Sequence, residues 1–514
     1  MIHSSDQYCQ LTRVYCQHKM QQLRVVWVIY LGFVCSSLCA KDYSIEDYGA
    51  IGDGYTINTL AIQAAIDEAT SNGGGRVIIP GGRFVSGTIF LKTKVELHLT
   101  KNAVLLGSLS PADYRRVAKW KALIQANEVN DVTISGLGTI DGRGARLALK
   151  IDSLFYAGEI DSVHYNLAEK RPKWNIRPQL LHSYTCENIR INGVTFKNAA
   201  CWVQTYERCN GIEIKGVKVD SDTYWNNDGI DIVDSKNVRI TQCAINAADD
   251  GICIKSEDWT RKYFCDSIYV ADCRVRSSAS AIKFGTSTVS HIRNVIVRNI
   301  KVYDTYRSAI AIEAMQGGIL ENILVENIVA HNTGNAIFLR VGQIRGAKLP
   351  GTLKNITLRR IKVTVPFRRP DYAYEMRGPT LPYFHNVFPS SITGISGSPI
   401  QNITLEDITI LYPGRGNAAY AHMPTHRIGD VPELPYTYPE FSMFGELPAW
   451  GFYVRHVEGL TMKNVNIKVK KKDYRPAIVL DDVSRLYIEG LKVKGDKKPN
   501  PLFMKDVRDF TEVK

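Results

Sequence analysis

The stretch from Asn226 to Ser256 reads NNDGIDIVDSKNVRITQCAINAADDGICIKS. It states one phrase twice: Asp228-Gly-Ile-Asp-Ile-Val and, 22 residues on, Asp250-Gly-Ile-Cys-Ile-Lys. Ser280-Ala-Ile-Lys-Phe-Gly, Ser308-Ala-Ile-Ala-Ile-Glu and Asn335-Ala-Ile-Phe-Leu-Arg align with both. Between them lie alternating runs that open on asparagine, at Asn188, Asn237, Asn294, Asn322, Asn355 and Asn402, with a similar run at Asn130. Strand-sized segments at a period of 20–30 residues, with no helix between them, predict an all-β solenoid, the parallel β-helix. One amphipathic stretch, Ile57 to Ser71, suits a short helix through Leu60, Ile62, Ala65 and Ile66, and would cap the N-terminal end of the solenoid.

The strand parity assigns faces. Ile230/Ile232, Ile252/Ile254, Ile282/Phe284, Ile310/Ile312 and Ile337/Leu339 point into the core. The opposite parity carries Asp231, Val233, Cys253, Lys255, Lys283, Ala311, Glu313, Phe338 and Arg340, read as a polar outward strip. Asp228 and Asp250 head their strands in one column, with Asp249 beside them. Stacked coils lie about 4.8 Å apart, so three carboxylates converge. An Asp-Gly pair alone is turn chemistry. Like charges stacked across strands are unfavourable, and a purely structural column would use asparagine instead.

At these residues the chain resembles glycoside hydrolase family 28, the polygalacturonase family of right-handed parallel β-helices. The resemblance takes in Asp47-Tyr-Gly-Ala-Ile-Gly-Asp-Gly, Gly73-Gly-Gly-Arg-Val-Ile-Ile-Pro and Arg177-Pro-Gln-Leu-Leu. Its specific marks are Asn226-Asn227-Asp228 and Asp249-Asp250, which match the family's Asn-Thr-Asp and Asp-Asp motifs. It implies an inverting hydrolase of pectic poly- or oligosaccharide, with Asp249 as general acid and Asp228 with Asp250 activating water. Two motifs depart. Ala279-Ser280-Ala281 stands where the family has Gly-His-Gly. Ala311-Ile312-Glu313 stands where it has the Arg-Ile-Lys that grips a galacturonate carboxylate. The expectation is that the cationic contact has moved to Lys283 and Lys255, and that Glu313 pairs with Arg340 across coils or binds a sugar hydroxyl. Asn226, Asp231, Lys255, Lys283, Glu313 and Arg340 are thus the expected substrate contacts. The departures leave room for another pectic linkage, such as those of rhamnogalacturonan.

Trp259 and Tyr263 are candidates for stacking on a sugar. The irregular, aromatic-rich stretch 366–453 would wall one end of the cleft, and its His385 and His422 are candidates to replace the missing histidine. Cys186 with Cys209 and Cys243 with Cys273 fall at equivalent strand positions, as stacked thiols or disulfides, and Cys253 lacks a histidine to make it a nucleophile.

The remaining features bound the function. The net charge of +13 allows an anionic partner, but no nucleic-acid motif accompanies it. Met20 to Ala40 reads as a secretory signal, with a short basic start, the apolar run Val25 to Val34 and small residues after it, so Met20 serves as an alternative start. Residues 41–514 then form one exported catalytic domain with no membrane span, a monomer needing no cofactor or metal. Two other functions fit the fold: a polysaccharide lyase with calcium on the acid trio and Lys255 or Lys283 as base, and a non-catalytic glycan-binding protein.

Overall fold

The computed structural model describes residues 41–370, 385–416, 423–495 and 500–513. The segment read as a secretory signal and His422 lie outside the described residues.

Alternating β-branched residues favour short strands that bury one edge of each pleat. One coil cannot bury that edge alone, so coils stack. The result is one sheet system of 34 strands, paired parallel except at Arg116–Val117. The register confirms the repeat. Ile230 pairs with Ile252, Ile252 with Ile282, Ile282 with Ile310 and Ile310 with Ile337. This is the expected right-handed parallel β-helix. Each inward pair named above is fully or almost fully buried in one continuous core.

Helix α1 (Thr59–Ser71) lies against the first coils and buries Ile62, Ala65, Ile66 and Ala69. Leu60, assigned to its apolar face, is instead 85% exposed in the first turn. A second helix, α2 (Gly144–Tyr156), departs from the expectation of a single helix. Leu147, Ala148 and Ile151 recur at helical spacing and are its buried face. It sits in an insertion between the Thr139–Asp141 and Gln179–Tyr184 strands.

The outward strip is not a solvent face. Asp231, Cys253, Lys255, Lys283, Ala311, Glu313, Phe338 and Arg340 are all buried. Over the later coils the cover comes from the long C-terminal insertion. Ile428, Val431, Phe441, Phe444, Leu447 and Ala449 form a second apolar cluster on Ala311, Phe338, Tyr453 and Val479, residues of the outward parity. Period-two reasoning predicts water on that face, whereas the non-periodic segment supplies an apolar roof that makes both faces interior.

Candidate active site

The carboxylates are set by strand heads. The pairing of Thr205 with Asp231 and of Asp231 with Cys253 puts Trp202, Asp228 and Asp250 in one column on three consecutive coils. Glycine follows each aspartate because there is no room for a side chain there. A Cβ at Gly229 would stand 2.5 Å from the Gly251 carbonyl, and one at Gly251 would stand 2.4 Å from Val275. Asp228, Asp249 and Asp250 line a cleft of about 380 Å³ together with Asn226, Lys255, Lys119, Glu257, Thr286, Ser287, Arg345, Tyr438 and three tryptophans.

Asn226 occupies a left-handed conformation, φ +59°, that asparagine tolerates. Its Oδ1 accepts hydrogen bonds from Arg177 (2.8 Å) and Arg171 (2.9 Å), which fixes its amide so that Nδ2 donates to Asp249 Oδ2 at 3.3 Å. The Asp250 N–H donates to Asp249 Oδ1 at 3.1 Å, and Asp250 Oδ1 accepts from the Ser280 N–H at 2.9 Å. Asn227 faces inward and holds the Ala199 and Cys201 carbonyls. Burial, then the Asp250 charge, raises the Asp249 carboxyl above its ordinary value, against Arg307, Lys255 and Lys283.

Lys255 is the counterion of the neighbouring acids. Its Nζ donates to Asp228 Oδ2 at 2.8 Å and to Asp231, and lies 3.6 Å from the centroid of Trp202. Burial pushes Asp228 up and Asp231 to about 7, while Lys255 pulls both down. Burial opposes the charge on Lys255, but the two carboxylates outweigh it and the ammonium keeps its proton well above the usual lysine range.

The expected free cations are therefore not free. Lys283 forms a buried ion pair with Glu313, whose other oxygen accepts from Thr286 Oγ1 at 3.0 Å. Burial raises Glu313 to about 7 against the pull of Lys283. Neither Lys283 nor Glu313 lines the cleft, and Asp231 is sealed beneath Lys255. The Glu313–Arg340 pair is not made, although the two share a register position. Arg340 turns into the roof, donating to the carbonyls of Gly394 (3.2 Å) and Glu433 and lying over Phe444. Burial is what drove these exchanges, because a covered ion needs a partner or a ring of carbonyls.

Other expected contacts also lie elsewhere. Trp259 and Tyr263 belong to a loop that Asp258 ties together by accepting from Thr260 and Tyr263, and neither lines the cleft. His385 is buried under the roof against Glu446, 2.6 Å away. The seven cysteines from Cys186 to Cys273 are all reduced and buried, so the two stacked pairs are thiols.

Several residues escaped the sequence reading. Arg307 precedes Ser308 at the position that Asp249 holds two coils earlier. It pairs with Glu440 of the roof at 2.6 Å, and its charge reaches Asp249 and Asp250. Its place before the strand head was a usable signal. Glu440, Tyr438 and Trp174 arrive from segments without periodicity, so register gives no way to find them, whereas Trp120 opens the strand Trp120–Asn127, in register with Gln179–Tyr184.

Residues 71–365 match the family model described as glycosyl hydrolases family 28. The chain belongs to that family. Among curated members it is 26% identical over 348 residues to a probable polygalacturonase of Vitis vinifera, covering 64% of this chain and 62% of that one. It is 24% identical over 443 residues to an exo-poly-alpha-D-galacturonosidase of Dickeya chrysanthemi, covering 72% and 71%. It thus spans less than two thirds of the Vitis relative's length. The fold is that of the Thermotoga maritima exopolygalacturonase, with TM-score 0.57 and 23% identity over 72% of this chain and 87% of that one. It is also that of the Erwinia carotovora polygalacturonase, with TM-score 0.54 and 15% identity. The matched range includes Asp228, Asp249 and Asp250, of which Asp228 and Asp250 head strands on consecutive coils.

Proposed function

We propose that the protein is an inverting glycoside hydrolase that works at the ends of galacturonic-acid-containing pectic chains. Asp249 donates the proton to the leaving oxygen, and Asp228 with Asp250 activates water. The observation that carries this is the convergence of Asp228, Asp249 and Asp250 with Asn226 on one cleft. Burial and the Asp250 charge raise the proton affinity of Asp249, the direction a general acid needs, and Asn226 orients it. Lys255 steadies Asp228 against its neighbours.

Chain-end action follows from the boundaries. Three tryptophans stand at one side of the acids, and Tyr438 with Arg345 stands at the other. Bulky side chains on both sides of the acids favour a terminus over the middle of a polymer. Export is proposed from the Met20–Ala40 leader.

A lyase fits less well. Of its two candidate bases, Lys255 is held charged by two carboxylates and Lys283 is buried against Glu313. The donors Asp228, Asp231 and Cys253 cluster closely enough for an ion. However, an ammonium already bridges the two acids, and a thiol is a poor calcium ligand.

The test is digestion of pectic polymers and oligosaccharides with and without chelator. Reducing ends that rise while viscosity barely falls, with no ultraviolet-absorbing unsaturated product and no effect of chelator, are expected. A rapid viscosity drop would contradict end action, and unsaturated product would contradict hydrolysis.

A further inference from the structure

The chain carries a net charge of +13, and the acid cleft does not use it. Four carboxylates line that cleft, Asp228, Asp249, Asp250 and Glu257, against the cations Lys119, Lys255 and Arg345. Positive charge gathers instead in a second cavity of about 850 Å³, lined by Arg368, Arg369, Arg415, Lys470 and Lys471. Among the described residues no carboxylate lines it.

These cations come from three consecutive coils. Each follows the strand that precedes a strand head, so the groove lies on the same side of the solenoid as the acids. Backbone bonds hold the three turns in step. The Val365 N–H donates to the Leu411 carbonyl at 2.9 Å, the Lys471 N–H to that of Pro413 at 3.2 Å, and the Arg415 N–H to that of Lys472 at 3.2 Å. Asn332 pins the arginine turn by donating to the Pro370 carbonyl at 3.0 Å, and the Asn386 N–H donates to the Phe367 carbonyl at 3.0 Å. Ile252 is followed in register by Ile282, Ile310 and Ile337, and Leu339 then pairs with Ile392 on the first coil of the groove. At about 4.8 Å per coil, the groove begins about 20 Å from the acids.

Elsewhere the solenoid stacks a cation by setting a carboxylate on the next coil. Arg293 meets Asp266 at 2.8 Å, Lys354 meets Glu321 at 3.1 Å, and Arg359 meets Glu326 at 2.7 Å. Arg368, Lys470 and Lys471 are exposed and have no such partner among the described residues. Like charges on neighbouring strands repel, so a column of this kind is relieved by an anion from outside. Exposed ion pairs contribute little singly. The ligand that fits is therefore a polymer with a charge on every unit, which engages several cations at once. Phe367 is the aromatic side chain in the groove, and the Arg415 guanidinium already lies over it, 4.7 Å from the ring centroid. Nucleic-acid bases would find no open stacking face there, whereas a polyuronate asks only for cations.

We propose that this groove is a second, non-catalytic binding site for a stretch of polyuronate chain. The identity of the polymer rests on the pectic reading of the acid cleft. The groove keeps the enzyme on its polymer between cleavage events by raising the effective concentration of chain ends near the cleft.

The test is calorimetric titration in the Asp249→Asn background, so that the polymer survives, at about 0.15 M salt. One variant carries Arg368→Gln, Lys470→Gln and Lys471→Gln. A control of equal charge carries Lys101→Gln, Lys215→Gln and Lys218→Gln, exposed lysines on earlier coils. Thermal melts check the folding of each. The probes are long polygalacturonate, its methyl ester and duplex DNA. The groove variant should bind polygalacturonate about tenfold more weakly than its parent, the control should bind as the parent does, and the ester and DNA should bind the parent more weakly than polygalacturonate. Equal losses in both variants, no loss in the groove variant, an ester or DNA bound as tightly as the acid polymer, or no binding of polygalacturonate would overturn the proposal. Wild-type hydrolysis is scored separately. If binding depends on the groove and nothing is cleaved, the hydrolase reading fails and the groove stands. If polymer is cleaved and the groove variant binds as its parent does, the groove fails and the hydrolase reading stands.

Discussion

Two columns of polar side chains run along this solenoid, and they behave in opposite ways. One is the ladder of outer-turn residues, each in the left-handed conformation. Asn294, Asn322, Asn355 and Asn402 have φ between +53° and +56°. Asn322 donates to Asn294 at 3.3 Å, Asn355 to Asn322 at 3.3 Å, and Asn402 to Asn355 at 3.0 Å. An amide both donates and accepts, so the column satisfies itself coil by coil. The other column is Asp228 over Asp250. Carboxylates only accept, so the column cannot satisfy itself: Asp228 takes the buried Lys255 as its counterion, and burial raises its proton affinity. The same spacing gives a structural ladder when filled with asparagine and a reactive cluster when filled with aspartate.

The comparison breaks most visibly at its charged side. Asp249→Asn keeps the shape and removes the proton donor, so kcat should fall by about 10²- to 10⁴-fold with little change in melting temperature. A loss of stability matching the loss of rate would assign Asp249 a structural role. Lys255→Met removes the counterion and leaves Asp228 and Asp231 buried without it. The expected destabilisation is about 3–5 kcal/mol, read by urea unfolding, and a neutral result would show that the acids need no cation.

The ladder side should yield less. Asn322→Ala loses the hydrogen bonds and leaves at φ +55° a residue without the short polar side chain that makes this conformation tolerable, at about 1–2 kcal/mol. Asn322→Gly keeps the backbone and should recover part of that, and equal losses would deny the conformational share.

A further effect is pH-linked. Glu313 and Asp231 are both held near 7, above their unfolded values of 4.5 and 3.8. The folded state therefore binds these protons more tightly than the unfolded chain. Their contribution to stability is present at acid pH and lost as pH rises from about 4 through about 7. Melting temperature should fall over that window, and Glu313→Gln should show a smaller fall than wild type. An equal fall would place the linkage elsewhere.

Much of this was legible in the residues, and the reason is periodicity. The repeat fixed which isoleucines face inward, and it made Asp228 and Asp250 neighbours before any coordinates. The asparagine that opens each run was visible as a pattern, and its left-handed turn explains it. What could not be read is whatever the non-periodic segments bring. The roof around Phe441 and Phe444 turned an outward strip into interior, so Lys283, Glu313 and Arg340 found partners that parity could not name. Trp120 and Trp174 reach the cleft from segments far away in sequence, while Trp202 stood one coil before Asp228 and could have been found by extending the column back. Trp259, chosen because it follows Asp250, is held away from the cleft by the Asp258 turn.

The central claim is that Asp249 protonates the leaving oxygen while water attacks from the side of Asp228 and Asp250. The most direct test follows the anomer first released from a pectic oligosaccharide by proton NMR, with wild type and Asp249→Asn side by side. Inverted product from wild type, and at most a trace from the variant, is the predicted result. Product with retained configuration, or an unimpaired variant, would contradict the account.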